Sequence, residues 1–447
     1  MTASNGRKYF GTDGVRGKVG TPPLTADFAL KIANAAARAL LPEGGKVLIG
    51  KDTRLSGYMF ESALEAGFVA AGVDVALIGP LPTPGVAYMT KHLNCDLGVV
   101  ISASHNGYND NGIKFFDKNG GKLSDELEKK VETYIEEPAV TRDSQSLGRA
   151  VRVDEERVRY QEFCAGIFPK HLSIEGMKLV VDCANGAGYK VAPRVFTSLK
   201  ADVLPIGTSP NGRNINDGCG ATAPGLLQMM VTGASADAGI ALDGDGDRLI
   251  MVDHEGKVVD GDTLVYILAM DRKRKGALKG PVVGTVMSNM GLEVALKAAG
   301  IEFFRAKVGD RNIIEMLHAH GGVLGGEPSG HIIDTEKIAT GDGIIAAIKV
   351  LSVMAESKKS LKELAKGLIL FPQVIVNSPL QKPMTIEEVP GLSDALTRLG
   401  KELEGQGQIV VRPSGTEPVM RIMVEHADAE IAKRHAEAIS ALIANAQ

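Results

Sequence analysis

An α/β protein is predicted: three similar α/β domains followed by a smaller C-terminal α+β domain. Three observations carry the prediction. The chain has 447 residues, too many for one hydrophobic core and enough for roughly three or four domains of ordinary size. A strand–loop–helix–strand pattern recurs three times along it. Past residue 367 the pattern changes to isolated strands and one long helix.

The first copy begins with the short apolar run Lys46–Gly50, which enters the polar loop Lys51-Asp52-Thr53-Arg54. A helical pattern follows over Glu61–Ala71, then a second apolar run over Val73–Gly79. Lys178–Asp182, the loop Cys183–Gly188 and Asp202–Gly207 repeat the arrangement, as do Pro281–Val286, Met287–Gly291 and Ile301–Val308. Short apolar runs alternating with helical periodicity are the pattern of parallel α/β units, and repetition points to related domains rather than unrelated ones. In the tail, Leu368–Val376, Gln408–Val411 and Met420–Val424 read as strands, and Asp428–Ala444 as a helix rich in Ala, Ile and Leu. The expected divisions are residues 1–150, 151–255, 256–367 and 368–447. The first lies near the charged stretch Thr141–Val153, the second near Asp253–Gly261, the third near Leu368.

Composition excludes several functional classes. A net charge of −4 gives no clustered positive field for nucleic acid. No apolar stretch approaches the roughly 20 residues that cross a bilayer, and the polar start Met1–Arg7 is not a signal peptide. The expected compartment is the cytoplasm, with neither membrane nor nucleic acid as partner. Cys95, Cys164, Cys183 and Cys219 are scattered without zinc or redox spacing, so reduced thiols are expected.

Four motifs carry chemistry. The strand Leu97–Ile101 runs into Ser102-Ala103-Ser104-His105-Asn106-Gly107, and a second strand follows at Ile113–Phe116. Serines at a strand end can present a hydroxyl nucleophile, although Ser, Asn and Gly also simply build turns. A Ser-His-Asp hydrolase fits poorly, because the G-x-S-x-G elbow is absent. Asp243-Gly244-Asp245-Gly246-Asp247-Arg248 lies between apolar strands. Carboxylates at alternate positions of an extended loop can converge on one hard cation, Mg²⁺ or Ca²⁺; a solvated acidic turn is the alternative, and the apolar flanks count against it. An EF-hand is excluded, since Arg248 stands where its sixth position needs Gly and His254 where its twelfth needs Glu. So acidic a site needs cations around a phosphate: Arg248 adjoins it, and Arg16 and Lys114 in polar loops can supply others.

Arg412-Pro413-Ser414-Gly415-Thr416-Glu417-Pro418 follows a strand and offers a guanidinium, hydroxyls and a glycine N–H, a cradle for a phosphate dianion, with Arg421 as a second cation. A plain Pro/Gly turn is its alternative. Gly326-Glu327-Pro328-Ser329-Gly330-His331 sets a carboxylate and a hydroxyl among glycines, suited to vicinal sugar hydroxyls. Gly309-Asp310-Arg311 is a further short polar insert.

With these motifs in order, and with Phe10-Gly11-Thr12-Asp13-Gly14-Val15-Arg16-Gly17 and Gly50–Arg54 added, the chain resembles the α-D-phosphohexomutase family over essentially its whole length. The opening Phe-Gly-Thr-Asp-Gly and the segment Asn111-Gly112-Ile113-Lys114-Phe115-Phe116 are most similar to the glucosamine branch. The resemblance implies mixed sheets around a central cleft, with Ser104, not Ser102, as the phosphoserine. It implies that Asp243, Asp245 and Asp247 bind one Mg²⁺ together with the Ser104 phosphate. Arg16, Lys114 and Arg248 are implied to assist transfer. Glu327, Ser329 and His331 are implied to hold the sugar, and Arg412, Ser414, Gly415, Thr416 and Arg421 the phosphate that is not reacting. Two positions depart from the pattern: Gly107 stands where the family usually has Pro, loosening that loop, and Pro328 where the glucosamine branch usually has Gln.

The implied reaction interconverts glucosamine 6-phosphate and glucosamine 1-phosphate through a 1,6-bisphosphate sugar, feeding the synthesis of UDP-N-acetylglucosamine and peptidoglycan precursors. Lys114 is expected as the base, its pKa lowered by a cation-rich cleft. Closure of the C-terminal domain is expected to exclude water. A homodimer, and a kinase that first loads Ser104, complete the implied partners. The alternatives are glucose or mannose phosphate as substrate, and a non-catalytic phosphosugar sensor.

Overall fold

The computed structural model describes residues 7–381, 384–413 and 419–446. In the first unit the strands are β1 (Val15–Lys18), β2 (Lys46–Lys51), β3 (Asp74–Pro80), β4 (Leu97–Ile101), β5 (Asp110–Asp117) and β6 (Ala150–Arg152). Its helices are α1 (Ala26–Leu40), α2 (Ser56–Ala70), α3 (Thr83–His92) and α4 (Asp125–Ile135). The second unit holds α5 (Arg157–Ile167), β7 (Lys178–Asp182), α6 (Val191–Ser198), β8 (Asp202–Ile206) and α7 (Gly225–Gly233), then β9 (Ala238–Leu242), β10 (Leu249–Asp253) and β11 (Val258–Val259). In the third come α8 (Gly261–Arg274), β12 (Val282–Thr285), α9 (Met290–Ala298), β13 (Phe303–Ala306) and α10 (Asp310–His320). It ends with β14 (Leu324–Gly326), β15 (Ile332–Asp334), α11 (Gly343–Ser357) and α12 (Leu361–Ala365). The last unit comprises β16 (Gln373–Pro379), α13 (Leu392–Glu402), β17 (Gly407–Pro413), β18 (Val419–His426) and α14 (Ala429–Asn445).

The threefold repeat is a repeat in space. β2 pairs parallel with β3, β7 with β8, and β12 with β13. A third parallel strand then joins the first of each pair (β4, β9, β14), and a fourth returns antiparallel beside it (β5, β10, β15). The order β5-β4-β2-β3 therefore recurs as β10-β9-β7-β8 and β15-β14-β12-β13. The mixed sheets have buried strands: every residue of β4, β9 and β10 is buried, as expected where helices cover both faces.

Two differences from the sequence reading have plain causes. The charged stretch before residue 153 includes β6, which adds parallel to the edge of β3. β11 likewise pairs back onto β10, so strand pairing carries the first two units a few residues past 150 and 255. The strand expected from Leu368 begins at Gln373 instead. Phe371 donates its N–H to Asn289 Oδ1 at 2.8 Å and accepts from Asn289 Nδ2 at 3.0 Å, so its backbone is satisfied by α9's capping residue rather than by a sheet.

One apolar core runs through the first three units, from Leu48 and Phe116 through Leu179 and Leu249 to Leu324 and Ile345. The last unit buries its own core, centred on Leu392, Ile422, Val424 and Ile439. All four cysteines are free and buried. Among the described residues no helix is long and apolar enough to cross a membrane.

Candidate active site

The repeat places three different motifs at equivalent turns. Ser104 sits in the β4–β5 connection, Asp243–Arg248 in β9–β10, and Glu327–His331 in β14–β15. All three turns meet in one cleft. Ser104 Oγ donates to Asp243 Oδ2 at 2.6 Å, across 139 residues of sequence. Gly244 permits this approach: a Cβ there would lie 2.6 Å from the Ser104 carbonyl oxygen.

The serine loop is held from beneath. Ser104 has a left-handed backbone, φ 53°, and its N–H donates to Ser102 Oγ at 2.9 Å. Ser102 Oγ in turn donates to Asp52 Oδ2 at 2.7 Å. Arg54, wholly buried, donates from Nε to the same Asp52 oxygen at 2.7 Å. Its Nη atoms reach the carbonyls of Ser104 and Asn106, each at 2.9 Å, and those of Gly107 and Asp110. Gly107 therefore does not leave this loop loose, because one guanidinium grips four of its carbonyls. Asp52 and Arg54 were legible only as part of a polar loop; nothing in their spacing marks a clamp.

The acidic triplet is buried and compact. One ligand atom from each of Asp243, Asp245 and Asp247 lies within 4.8 Å of the others. Asp245 Oδ1 and Asp247 Oδ1 are buried without a hydrogen-bond partner, and orphaned carboxylate oxygens of this kind fit a hard divalent cation such as Mg²⁺. Burial and the adjacent carboxylates of Asp247 and Asp245 raise the Asp243 pKa far above the carboxylate range, a penalty that a divalent cation opposes. Asp245 behaves oppositely. Burial pushes it up, but Lys114 at 2.8 Å and Thr83 Oγ1 at 2.7 Å hold it below its usual value.

Arg16 and Lys114 lie on paired strands, β1 and β5, and not in loops. Pairing continues through both positions because their side chains leave the sheet toward the cleft. Lys114 contacts Asp245, Asp13 Oδ2 at 3.0 Å and Asp247 at 3.9 Å. Burial lowers its pKa, but Asp13 and Asp245 outweigh burial and raise it beyond the ordinary range. The direction is opposite to the lowering expected from a cation-rich cleft, because carboxylates face the ammonium here. Arg16 pairs with Asp13, and burial is again outweighed by Asp13, Asp245 and Asp247. Arg248 donates its backbone N–H to Asp243 Oδ1 at 3.2 Å. His105 Nδ1 lies 3.4 Å from Ser104 Oγ, and burial with Arg248 and Arg16 pushes its pKa down to about 4, leaving it neutral near pH 7.

On the third unit, Glu327 Oε1 accepts from Gly309 N at 3.0 Å and its Oε2 lies 3.4 Å from Ser329 Oγ. The Pro328 carbonyl accepts from Gly261 N at 3.2 Å, and the Gly330 carbonyl from Leu249 N at 2.9 Å. His331 is buried between Asp247 at 3.7 Å and Asp310 at 3.6 Å. Burial lowers its pKa, but those carboxylates and Glu327 raise it to about 9. Thr83, Asp13, Lys122 and Asp310 belong to the site without having been singled out as functional.

On the last unit, Arg412 is exposed on β17 and stands directly opposite Arg421 of β18 in the antiparallel register. Two guanidinium groups on one sheet face can share a bound anion. Ser414, Gly415 and Thr416 lie outside the described residues.

Known proteins share this arrangement. The chain matches all four parts of the phosphoglucomutase/phosphomannomutase family: alpha/beta/alpha domain I over residues 7–141, domain II over 159–256, domain III over 260–370 and the C-terminal domain over 375–442. It is 54% identical to the phosphoglucosamine mutase of Haemophilus influenzae strain PittEE over 435 residues, 97% of this chain and 98% of that one. Identity to the phosphoglucosamine mutase of Mannheimia succiniciproducens is 55% over 434 residues, again 97% and 98% of the two chains. Among solved structures, a phosphoglucomutase/phosphomannomutase family protein from Burkholderia thailandensis superposes with a TM-score of 0.80 at 24% identity, covering 97% of each chain. The N-acetylphosphoglucosamine mutase of Aspergillus fumigatus, in complex with GlcNAc-6P and magnesium, shares the fold at a TM-score of 0.69 and 18% identity, with 98% and 96% covered.

Proposed function

This chain belongs to the phosphoglucomutase/phosphomannomutase family, and from that membership we propose that it interconverts glucosamine 6-phosphate and glucosamine 1-phosphate by way of a phosphorylated Ser104. It is then an isomerase that moves a phosphoryl group within one sugar. The observation that carries the reading is the 2.6 Å contact between Ser104 Oγ and Asp243 in the acidic triplet. A hydroxyl that shares its cation site in this way is placed to carry a phosphoryl group. The name shared by the relatives supports an amino sugar over glucose or mannose.

In the forward direction the Oγ–P bond of phospho-Ser104 breaks as a bond forms from phosphorus to O1 of glucosamine 6-phosphate, and the O1 proton passes to a base. The resulting 1,6-bisphosphate turns over in the cleft. Its 6-phosphoryl group returns to Ser104 Oγ, and glucosamine 1-phosphate leaves. Asp243, Asp245 and Asp247 would hold Mg²⁺, which when bound supplies positive charge to the moving phosphoryl group. Lys114, Arg16 and Arg248 add fixed cations beside it. Neutral His105, 3.4 Å from Oγ, is a better proton acceptor than charged Lys114. Glu327, Ser329 and His331 face the sugar, while Arg412 and Arg421 with the loop between them clamp the phosphate that is not reacting. One clamp serves both poses because it reads a phosphate and not the reacting end. A homodimer, and a kinase or bisphosphate sugar that first loads Ser104, belong to the same reading.

Turnover of glucosamine, glucose and mannose 6-phosphates, measured side by side, tests the substrate. The highest kcat/KM is expected for glucosamine 6-phosphate, and a preference for either other sugar overturns the assignment. Intact mass should show one phosphate on the purified protein, lost in Ser104→Ala. Tight phosphosugar binding without turnover or phosphorylation would instead mark a sensor.

A further inference from the structure

A closed ring of alternating charges runs through the cleft and ties three units together. It leaves the second unit at Asp245, which accepts from Lys114 Nζ at 2.8 Å. Lys114 also pairs with Asp13 at 3.0 Å, and Asp13 pairs with Lys122, all three within the first unit. Lys122 then crosses to the third unit, reaching Asp310 Oδ2 at 2.7 Å. Asp310 lies 3.6 Å from His331 Nε2, His331 Nδ1 lies 3.7 Å from Asp247, and Asp247 Oδ2 lies 3.9 Å from Lys114 Nζ, which closes the ring. The side chains of Lys114, His331, Asp310 and Asp247 are no more than 10% exposed, and Lys122 is 16% exposed.

Two members stand outside the reaction as described. Lys122 touches neither the acidic triplet nor the sugar loop; its partners are Asp13 and Asp310. Asp310, at the start of α10, faces His331 on one side and Lys122 on the other. Yet between them they join the two groups that flank the triplet from opposite sides, Lys114 and His331. A charged head in a little-solvated site adopts the position its counter-ions dictate, and removing one partner leaves the other unpaired at high cost. From this ring we infer that Lys122 and Asp310 are positioning residues for phosphoryl transfer: they fix Lys114, through Asp13, and His331 relative to the cation site, across the seam between the first and third units.

The seam has a second fastening, so the ring is not what keeps the protein folded. Arg311 donates to the Leu123 carbonyl at 2.7 Å and pairs with Glu128 at 3.1 Å and with Asp125. Loss of Lys122 should therefore leave the units together while Asp13 and Asp310 repel one another and draw their partners out of register.

The inference rests on the phosphoglucosamine mutase reading, so wild-type protein is assayed in parallel: an inactive wild type defeats that reading, whereas an active one isolates the ring. Lys122→Met should lower kcat about 10-fold or more with KM changed less than about twofold, because the substrate contacts remain while the reacting groups shift. Mg²⁺ titration by calorimetry, which needs no turnover, should show weaker binding in the same variant. Lys122→Arg should recover part of both losses. In the double variant with Asp310→Asn, the kcat loss should be no greater than that of the worse single variant, since both act through one ring. Wild-type kcat and Mg²⁺ affinity in Lys122→Met, or single losses that multiply in the double variant, overturn the inference. Should Lys122→Met fail to fold, Asp310→Asn carries the test alone. It must lower kcat by about 10-fold or more with an unchanged melting temperature, and wild-type kcat there refutes the proposal.

Discussion

Ser104 is held at φ 53°, a conformation that costs a residue with a Cβ roughly 1–2 kcal/mol. Such strain persists where neighbours over-determine it, and here Ser102, Arg54 and Asn216 all bond the same turn. Ser104→Ala should abolish turnover in a coupled mutase assay while the far-UV spectrum and melting temperature stay close to wild type; retained turnover would remove Ser104 from the mechanism. Asp245→Asn should weaken Mg²⁺ binding, read by titration. It also withdraws the carboxylate that helps keep Lys114 charged, so turnover should fall further than lost metal occupancy alone explains. At this scale the sequence singled out Ser104 and the acidic triplet, which the structure brings together, because three alternating aspartates between apolar strands stand out. It did not show Asp13 or Lys122. A lone aspartate and a lone lysine look like any solvated pair until a fold sets a second domain against them.

The elements that carry the site were mostly visible as patterns. β4, β7 and the long C-terminal helix α14 fall within a residue or so of their expected bounds, because apolar runs and helical periodicity are local properties. Elements stabilised by distant partners were not visible. β6 is a strand only because β3 offers an open edge, and the chain before Gln373 is not one where Leu368 N turns back to the Ala365 carbonyl and Asn289 takes both backbone bonds of Phe371. Two predictions belong here. Arg54→Ala should destabilise the fold by about 3 kcal/mol or more in urea denaturation, since it leaves buried Asp52 without its counter-charge and takes a donor from four loop carbonyls. Asp262, in the first turn of α8, has its pKa pushed up to about 8, chiefly by burial. An unfolded aspartate titrates near 3.9, so between these values the folded state keeps a proton that the unfolded state has released. The stability this confers is complete below about pH 4 and is lost as pH rises through 8. Asp262→Asn should flatten the fall of unfolding free energy between pH 5 and 8, and an unchanged slope would exonerate this carboxyl.

As a whole the molecule is one continuous three-unit body plus a C-terminal unit with a separate core. The two are joined where buried Glu425 accepts from Met290 N and where Gln408 Nε2 donates to the Ser288 carbonyl, both at 2.9 Å. A unit with a core of its own can shift against its neighbours without breaking its own packing. Arg412→Ala should therefore raise KM for the sugar phosphate more than it slows phosphorylation of Ser104 by a bisphosphate sugar; equal effects on both would place Arg412 at the reacting phosphate. The sequence by itself determined the number of α/β units, the order of motifs and the kinds of side chain that meet a phosphate, because periodicity and residue chemistry are written locally. Only the tertiary structure decided that three motifs share one turn of a repeated sheet, that carboxylates face Lys114, and that charges from three units close a ring. Each of those depends on distances between residues more than 100 positions apart, and electrostatic energy is set by separation in space, not along the chain.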